Sequence, residues 1–212
     1  MRSKRDLLST GKLYVIVDHA ACGKRDPAQV AADAACGGAD FIQWRAKDLS
    51  PRARWEIGQR IADALKSTDA IFIVNDHPEL ALTLRADGVH LGQDDLPVPE
   101  VRRLVGGEMI LGLSTHSLKQ ALDAQAQGAD YIGVGPLFAT PTKPSAEPVG
   151  MELLKAVSKQ VKIPFVAIGG INETNLEQVK AHGGMRAAVV RAVDQAQNVQ
   201  SAAKVLKEIL VQ

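Results

Sequence analysis

The stretch "AIFIVNDHPELALTLRADGVHL", residues 70–91, carries the pattern that decides the fold. It opens with a short apolar run, "AIFIVN", that stops at Asn75 and Asp76. A helix-forming segment starts at "HPELAL", and a second apolar run, "ADGVHL", follows the Ala86-Asp87-Gly88 turn. Strand, helix and strand in this order form a β/α unit. The same rhythm extends both ways along the chain, through "KLYVIV", "ADFIQW", "MILGL", "ADYIGV", "IPFVAIG" and "RAAVV". Each run is bounded by Gly, Pro, Asn or Asp, as strand ends tend to be.

Segments with helical spacing lie between most of these runs. Examples are "DPAQVAADAACGG", "SPRARWEIGQRIADALKS", "SLKQALDAQAQG" and "GMELLKAVSKQ". In the last segment, "NVQSAAKVLKEILVQ", Val199, Ala202, Ala203, Leu206 and Ile209 share one face, which is expected to close the fold against the first helix. About eight strands, apolar almost throughout, read as parallel strands buried on both faces. Eight such units in 212 residues predict a single-domain (β/α)8 TIM barrel spanning 1–212. Residues 1–11 are expected to be a flexible or capping N-terminal segment. A doubly wound open sheet is the rival, but it usually has fewer strands and a Gly-rich first turn, and no G-x-G-x-x-G follows "YVIVDHA". The repeated Gly-Ala-Asp and Ala-Asp-Gly at 38–40, 86–88 and 128–130 mark helix-to-strand turns.

Composition narrows the function. A net charge of +1 gives no broad footprint for nucleic acid or an anionic membrane, so any anion binding must come from local clusters. Cys22 and Cys36 lack metal-ligand spacing, and two thiols in so long a chain suit a reducing compartment. No apolar run approaches a membrane span, and "MRSKRDLLSTGK" lacks the apolar centre of a signal peptide. A cytoplasmic protein with small-molecule partners is the expectation, with a homo-oligomer left open.

Barrel enzymes carry their chemistry at the carboxyl ends of the strands. Polar residues collect just there: Gln43, Arg45 and Lys47 after strand 2, Asn75 and Asp76 after strand 3, and His90, Gln93, Asp94 and Asp95 around strand 4. Ser114, Thr115 and His116 follow strand 5, and Thr140, Thr142 and Lys143 follow strand 6 in the proline-rich loop "GVGPLFATPTKPSAEPVG" (133–150). Gly169-Gly170 ends strand 7 and Val190-Arg191 ends strand 8. Arg45 and Lys47 alternate along a strand end, so both are expected on one side with Gln43, able to hold a multiply charged anion. Asp76 with either Asp94 or Asp95 offers hard oxygen ligands for magnesium; the other reading makes Asp76 the cap of the helix at "HPELAL". "AIGGIN" and "AAVVRAV" resemble the phosphate cup after strands 7 and 8 of many barrels. The loop at 133–150 then reads as a stiffened lid between two anion sites. No nucleophile elbow, Cys–His pair or dinucleotide fingerprint is present, and His90 and His116 read better as orienting groups than as general bases. Without a nucleophile, the simplest chemistry is departure of magnesium-bound pyrophosphate from an activated carbon.

"QWRAKD", "VNDHPELALTLRADGVHLGQDDLP", "LGLSTHSLKQALDAQAQGADYIGVGPLFATPTKP" and "IPFVAIGGINETN" together resemble the thiamine-phosphate synthase (thiamine-phosphate pyrophosphorylase) family. The likeness runs from about Leu13 to Val193. It implies a transferase that joins 4-amino-2-methyl-5-hydroxymethylpyrimidine diphosphate to 4-methyl-5-(2-phosphooxyethyl)thiazole, with release of pyrophosphate. By this resemblance Gln43, Arg45, Lys47 and Asn75 would hold the pyrimidine diphosphate, and Asp76 and Asp95 would bind Mg2+. Ser114 and Lys143 would contact pyrophosphate, so that Arg45, Lys47, Ser114 and Lys143 would carry catalysis. Thr140, Thr142, Gly170 and the Val190-Arg191 backbone would hold the thiazole phosphate. The implied mechanism is dissociative.

Two departures stand out. Trp44 replaces the usual aliphatic residue between Gln and Arg, and its side chain is expected to face away from the site. In "HGGMRAAVVRAV" the family usually reads Gly-Ala-Asp-Gly and then Val-Ser-Ala-Ile, so Arg191 stands at the usual serine position in the thiazole phosphate cup. Rival readings are the related thiazole tautomerase group, a non-catalytic thiazole phosphate-binding barrel, and an unrelated phosphosugar-binding barrel. The first is disfavoured by the complete pyrimidine diphosphate clamp, the second by the intact metal ligands, and the third by the lack of a general base within the barrel.

Overall fold

The computed structural model describes residues 4–142 and 147–212. The elements follow in the order α1 (Lys4–Thr10), β1 (Leu13–Asp18), α2 (His19–Cys22), α3 (Pro27–Cys36), β2 (Phe41–Arg45), α4 (Pro51–Leu65), β3 (Ile71–Asn75), α5 (Pro78–Thr83) and β4 (Gly88–Leu91). Then come α6 (Val98–Val105), β5 (Ile110–Thr115), α7 (Leu118–Ala126), β6 (Tyr131–Val134), α8 (Gly150–Gln160), β7 (Phe165–Ile168), α9 (Leu176–Ala181), β8 (Ala187–Val189), α10 (Arg191–Asp194) and α11 (Val199–Val211). The eight strands pair in parallel in chain order, and β1 pairs with β8, closing a single-domain (β/α)8 barrel.

Strand alternation sorts the side chains into two cores. Leu13, Val15 and Val17 of β1, Ile42 and Trp44 of β2, and Phe72 and Val74 of β3 face outward and are buried beneath the helices. Tyr14, Ile16, Phe41, Ile71, Ile73, Ile110, Tyr131, Val166 and Ala188 fill the interior. Because the period is two, the next inward positions on each strand lie at the carboxyl end: Gln43, Arg45, Asn75, His90 and Ser114. Leu8 of α1 joins the interior cluster.

The repeated aspartate turns have a common function. Asp40 Oδ2 accepts from Leu13 N (2.9 Å), Asp87 Oδ2 from Phe72 N (2.8 Å) and Asp130 Oδ2 from Leu111 N (2.8 Å). Each aspartate precedes an even-numbered strand and satisfies a backbone N–H near the start of the strand before it, where the ladder between those two strands has not yet begun. Trp44 faces out as expected, fully buried, with its indole N–H donating to Arg54 O (3.1 Å). In α11 the buried face is Val199, Ala203, Leu206 and Leu210, and Ile209 is only partly buried. This face packs on α3, the first crossover helix.

Candidate functional site

The carboxyl ends of the strands surround a cavity of about 430 Å³. Its wall contains Gln43, Arg45, Asn75, Ser114, Thr140, Thr142, Gly170, Val190 and Arg191. Lys47, Asp76 and Asp95 form a separate cluster, and Lys143 lies outside the described residues. Beneath the cavity floor a narrower space of about 20 Å³ is lined by Tyr14, Gln43, His90 and Tyr131, among others.

On the β1–β2 side, the Arg45 guanidinium donates to Asp18 Oδ2. Asp18 ends β1 and is almost fully buried; its Oδ1 accepts from Ala21 N (3.0 Å), capping α2, while its own N–H donates to Asp194 Oδ2 (2.9 Å). Burial drives the Asp194 carboxyl well above the usual carboxylate range, and the Asp18 charge adds to this against the pull of the Asp18 N–H. Asp194 Oδ1 is buried with no hydrogen-bond partner among the described residues. Arg25 donates to Asp194 O (3.1 Å) and Ala196 O (2.5 Å), tying this end of the chain to the turn after α2.

Lys47 departs from the side it was expected to share with Arg45. β2 ends at Arg45, so strand alternation no longer controls residue 47; Lys47 Nζ reaches Asp76 Oδ2 (3.1 Å) instead. Asp76 has φ 63°, an uncommon conformation for a residue with a side chain, and its N–H donates to His90 O (2.8 Å). It does not cap α5: His77 occupies the N-cap position, with no side-chain cap bond. The Asp76 and Asp95 carboxyls lie near enough for each to shift the other's titration. Burial acts to raise Asp76, but the Lys47 ammonium leads the opposing influences, and the carboxyl stays below its usual range. Burial raises Asp95, assisted by the Asp76 charge and opposed by the Gly92 N–H, which donates to Asp95 Oδ2 at 2.6 Å. Two carboxylates this close are a hard-oxygen pair suited to a divalent cation. Among the described residues no group of three or more His, Cys, Asp and Glu is arranged to hold a metal, so the remaining ligands of a magnesium here would be water and substrate oxygens.

The opposite wall is built from backbone. Leu137 N donates to Ile168 O (2.9 Å) and Phe138 N to Gly169 O (3.0 Å), which lays the segment after β6 against the turn after β7. Gly170 has φ 65°, and a Cβ there would lie 2.8 Å from Ala139 O, so glycine lets these two segments meet. Asn175 Nδ2 donates to Gly170 O (2.9 Å) and fixes the turn. Arg191, at the start of α10, is exposed at the mouth beside Val190.

Sequence reasoning missed Asp18, Tyr14, Tyr131 and Asp194. Asp18 was open to the same rule that found Arg45, being a polar residue at a strand's carboxyl end. The tyrosines gave no such signal, because nothing local distinguishes an inward Tyr from any other strand residue.

A family model described as thiamine monophosphate synthase matches residues 13–193. The thiamine-phosphate synthase of Pelotomaculum thermopropionicum is 46% identical over 187 residues, covering 88% of this chain and 86% of that protein. That of Chloroflexus aurantiacus is 44% identical over 200 residues, covering 94% and 92%. The solved thiamine phosphate pyrophosphorylase from Pyrococcus furiosus superimposes with a TM-score of 0.88 at 37% identity, over 99% of this chain and 98% of that one.

Proposed function

The chain belongs to the thiamine monophosphate synthase family, and from that premise we propose how its residues make thiamine phosphate. The enzyme is a transferase that joins a pyrimidine diphosphate to a thiazole phosphate. The observation that carries the residue assignments is the shared cavity: an anion clamp from β2 and a backbone cup after β7 and β8 face one space.

Arg45, anchored by Asp18, and Ser114 take the diphosphate, with Lys47 and Lys143 as further cations. Gln43 and Asn75 hold the pyrimidine. Thr140, Thr142, Gly170 and the Val190-Arg191 backbone take the thiazole phosphate. The bond between the pyrimidine methylene carbon and the diphosphate oxygen breaks first, and its electron pair leaves with pyrophosphate. The electron-rich aminopyrimidine carries the resulting positive charge until the thiazole nitrogen donates its lone pair to the same carbon. Asp76 and Asp95 would hold Mg2+, which supplies charge neutralisation of the leaving group when bound. The chain's own part is to aim donors at the departing oxygens and keep water from a reactive cation. We further assign α1 as the cap on the barrel floor, in one working unit with the rest of the chain.

The test is a product assay with purified protein, both phosphorylated substrates and magnesium, with and without chelator. Magnesium-dependent thiamine phosphate with matching pyrophosphate release is expected. Binding of thiazole phosphate without product overturns the reading.

A further inference from the structure

A line of hydrogen bonds crosses the cavity floor. Gln43 Nε2 donates to the Tyr14 hydroxyl (2.8 Å), which pairs with the Tyr131 hydroxyl (2.9 Å). The Tyr131 hydroxyl pairs with His90 Nδ1 (2.9 Å), and His90 Nε2 pairs with Ser114 Oγ (2.9 Å). The outer members, Gln43 and Ser114, face the cavity, whereas both tyrosines are buried. Burial pushes both phenols upward from their ordinary values, so both keep their protons.

The donors and acceptors along this line point one way. Tyr14 receives the Gln43 amide proton, so its own proton is left for Tyr131; Tyr131 then gives its proton to His90 Nδ1. His90 must carry its proton on Nε2 and donate it to Ser114 Oγ, which frees the serine hydroxyl proton for the cavity. In the opposite sense, with Nδ1 protonated, the protons run back to Tyr14, whose hydroxyl has Gln43 and Tyr131 as its hydrogen-bond partners among the described residues. Unless the Gln43 amide turned its Oε1 inward, one buried O–H would then be left unsatisfied. A water in the 20 Å³ space below would supply an acceptor, so the tautomer itself is the decisive readout.

The geometry points to Tyr14, Tyr131 and His90 as positioning residues that fix the hydrogen-bonding polarity of both ends of the cavity. Gln43 is held with its carbonyl oxygen as an acceptor, and Ser114 with its hydroxyl as a donor. Resting on the proposed function, this assigns the relay a role in substrate choice: the acceptor selects an exocyclic amine on the pyrimidine over an oxo group, and the donor meets an anionic oxygen of the leaving group. Reversal would present a donor to the amine and an acceptor to the anion, a mismatch at both ends.

Two measurements test it. Long-range 1H–15N spectra of 15N-histidine-labelled protein, with His90 assigned by its loss in His90→Gln, should show the Nε2–H tautomer. Preference for the 4-amino pyrimidine diphosphate over its 4-oxo analogue, as a kcat/KM ratio, should fall about tenfold in Tyr14→Phe, where Gln43 is free to turn. An Nδ1–H tautomer, or an undiminished preference in a folded Tyr14→Phe, overturns the relay. If Tyr14→Phe does not fold, the wild-type tautomer decides. No turnover by the wild type would overturn the proposed function instead, and the spectra would still report on the relay.

Discussion

Lys47 Nζ stands 3.1 Å from Asp76 Oδ2, and the Asp76 charge in turn acts on Asp95. The ammonium therefore neutralises one member of the pair proposed to hold magnesium. Asp76→Asn should lower magnesium-dependent turnover about 10²-fold or more while leaving the folded state nearly as stable. Asp76→Ala should lose as much activity and about 1–2 kcal/mol of stability besides, since φ 63° suits Asn and strains Ala. Rates against magnesium concentration, with urea melts of both variants, check this; equal stability in the two would remove the backbone argument.

Asp18 is expected to aim Arg45. Asp18→Asn keeps the α2 cap but removes the carboxylate that holds the guanidinium. About 1–3 kcal/mol of stability should go with it. Turnover should fall about 10- to 100-fold because the clamp is no longer fixed over the diphosphate. Urea unfolding and steady-state kinetics decide the matter, and wild-type kinetics would show that Arg45 needs no anchor.

The rings of Tyr131 and His90 occupy the space over Gly112. A Cβ at that position would lie 2.2 Å from Tyr131 Cζ and 2.5 Å from His90 Nδ1. Gly112→Ala should cost about 1–3 kcal/mol through overpacking and also disturb the relay. Gly107→Ala, with nothing within 4 Å of the added carbon, is the matched control. Indistinguishable thermal midpoints for the two variants would contradict the packing described.

The two cysteines should behave differently. Burial, assisted by the Asp194 and Asp18 charges, pushes the Cys22 thiol up to about 12 from an ordinary value of 9.0, whereas Cys36 is exposed. Above pH 9 the unfolded chain releases a proton that the folded chain keeps, so stability is lost as pH rises towards 12. Cys22→Ala should flatten that alkaline decline in urea melts. Native thiol titration should find one fast and one slow thiol; two fast thiols would contradict the burial.

The barrel was legible because its strands are buried on both faces, and apolar runs survive translation into sequence pattern. The rim was legible through one rule, that polar groups after such runs converge. Strand alternation does not set the direction of Lys47, because the strand ends at Arg45, and the alternative reading of Asp76 as a helix cap gives way to His77 at that position. The relay was hidden for another reason. Tyr14 and Tyr131 meet across the barrel interior, and only the closed register of eight strands brings residues 117 positions apart within 2.9 Å.

The seam between β1 and β8 also sets an order in time. Asp18 and Arg45 leave the ribosome well before Asp194, which holds the Asp18 backbone, and before Arg25's acceptors at Asp194 and Ala196. A growing chain thus carries most of its anion-binding side chains before it has the means to aim them. The clamp's alignment then waits until β8 and α10 close the ring against β1, and a chain cut short before residue 194 would keep the clamp's residues without that alignment.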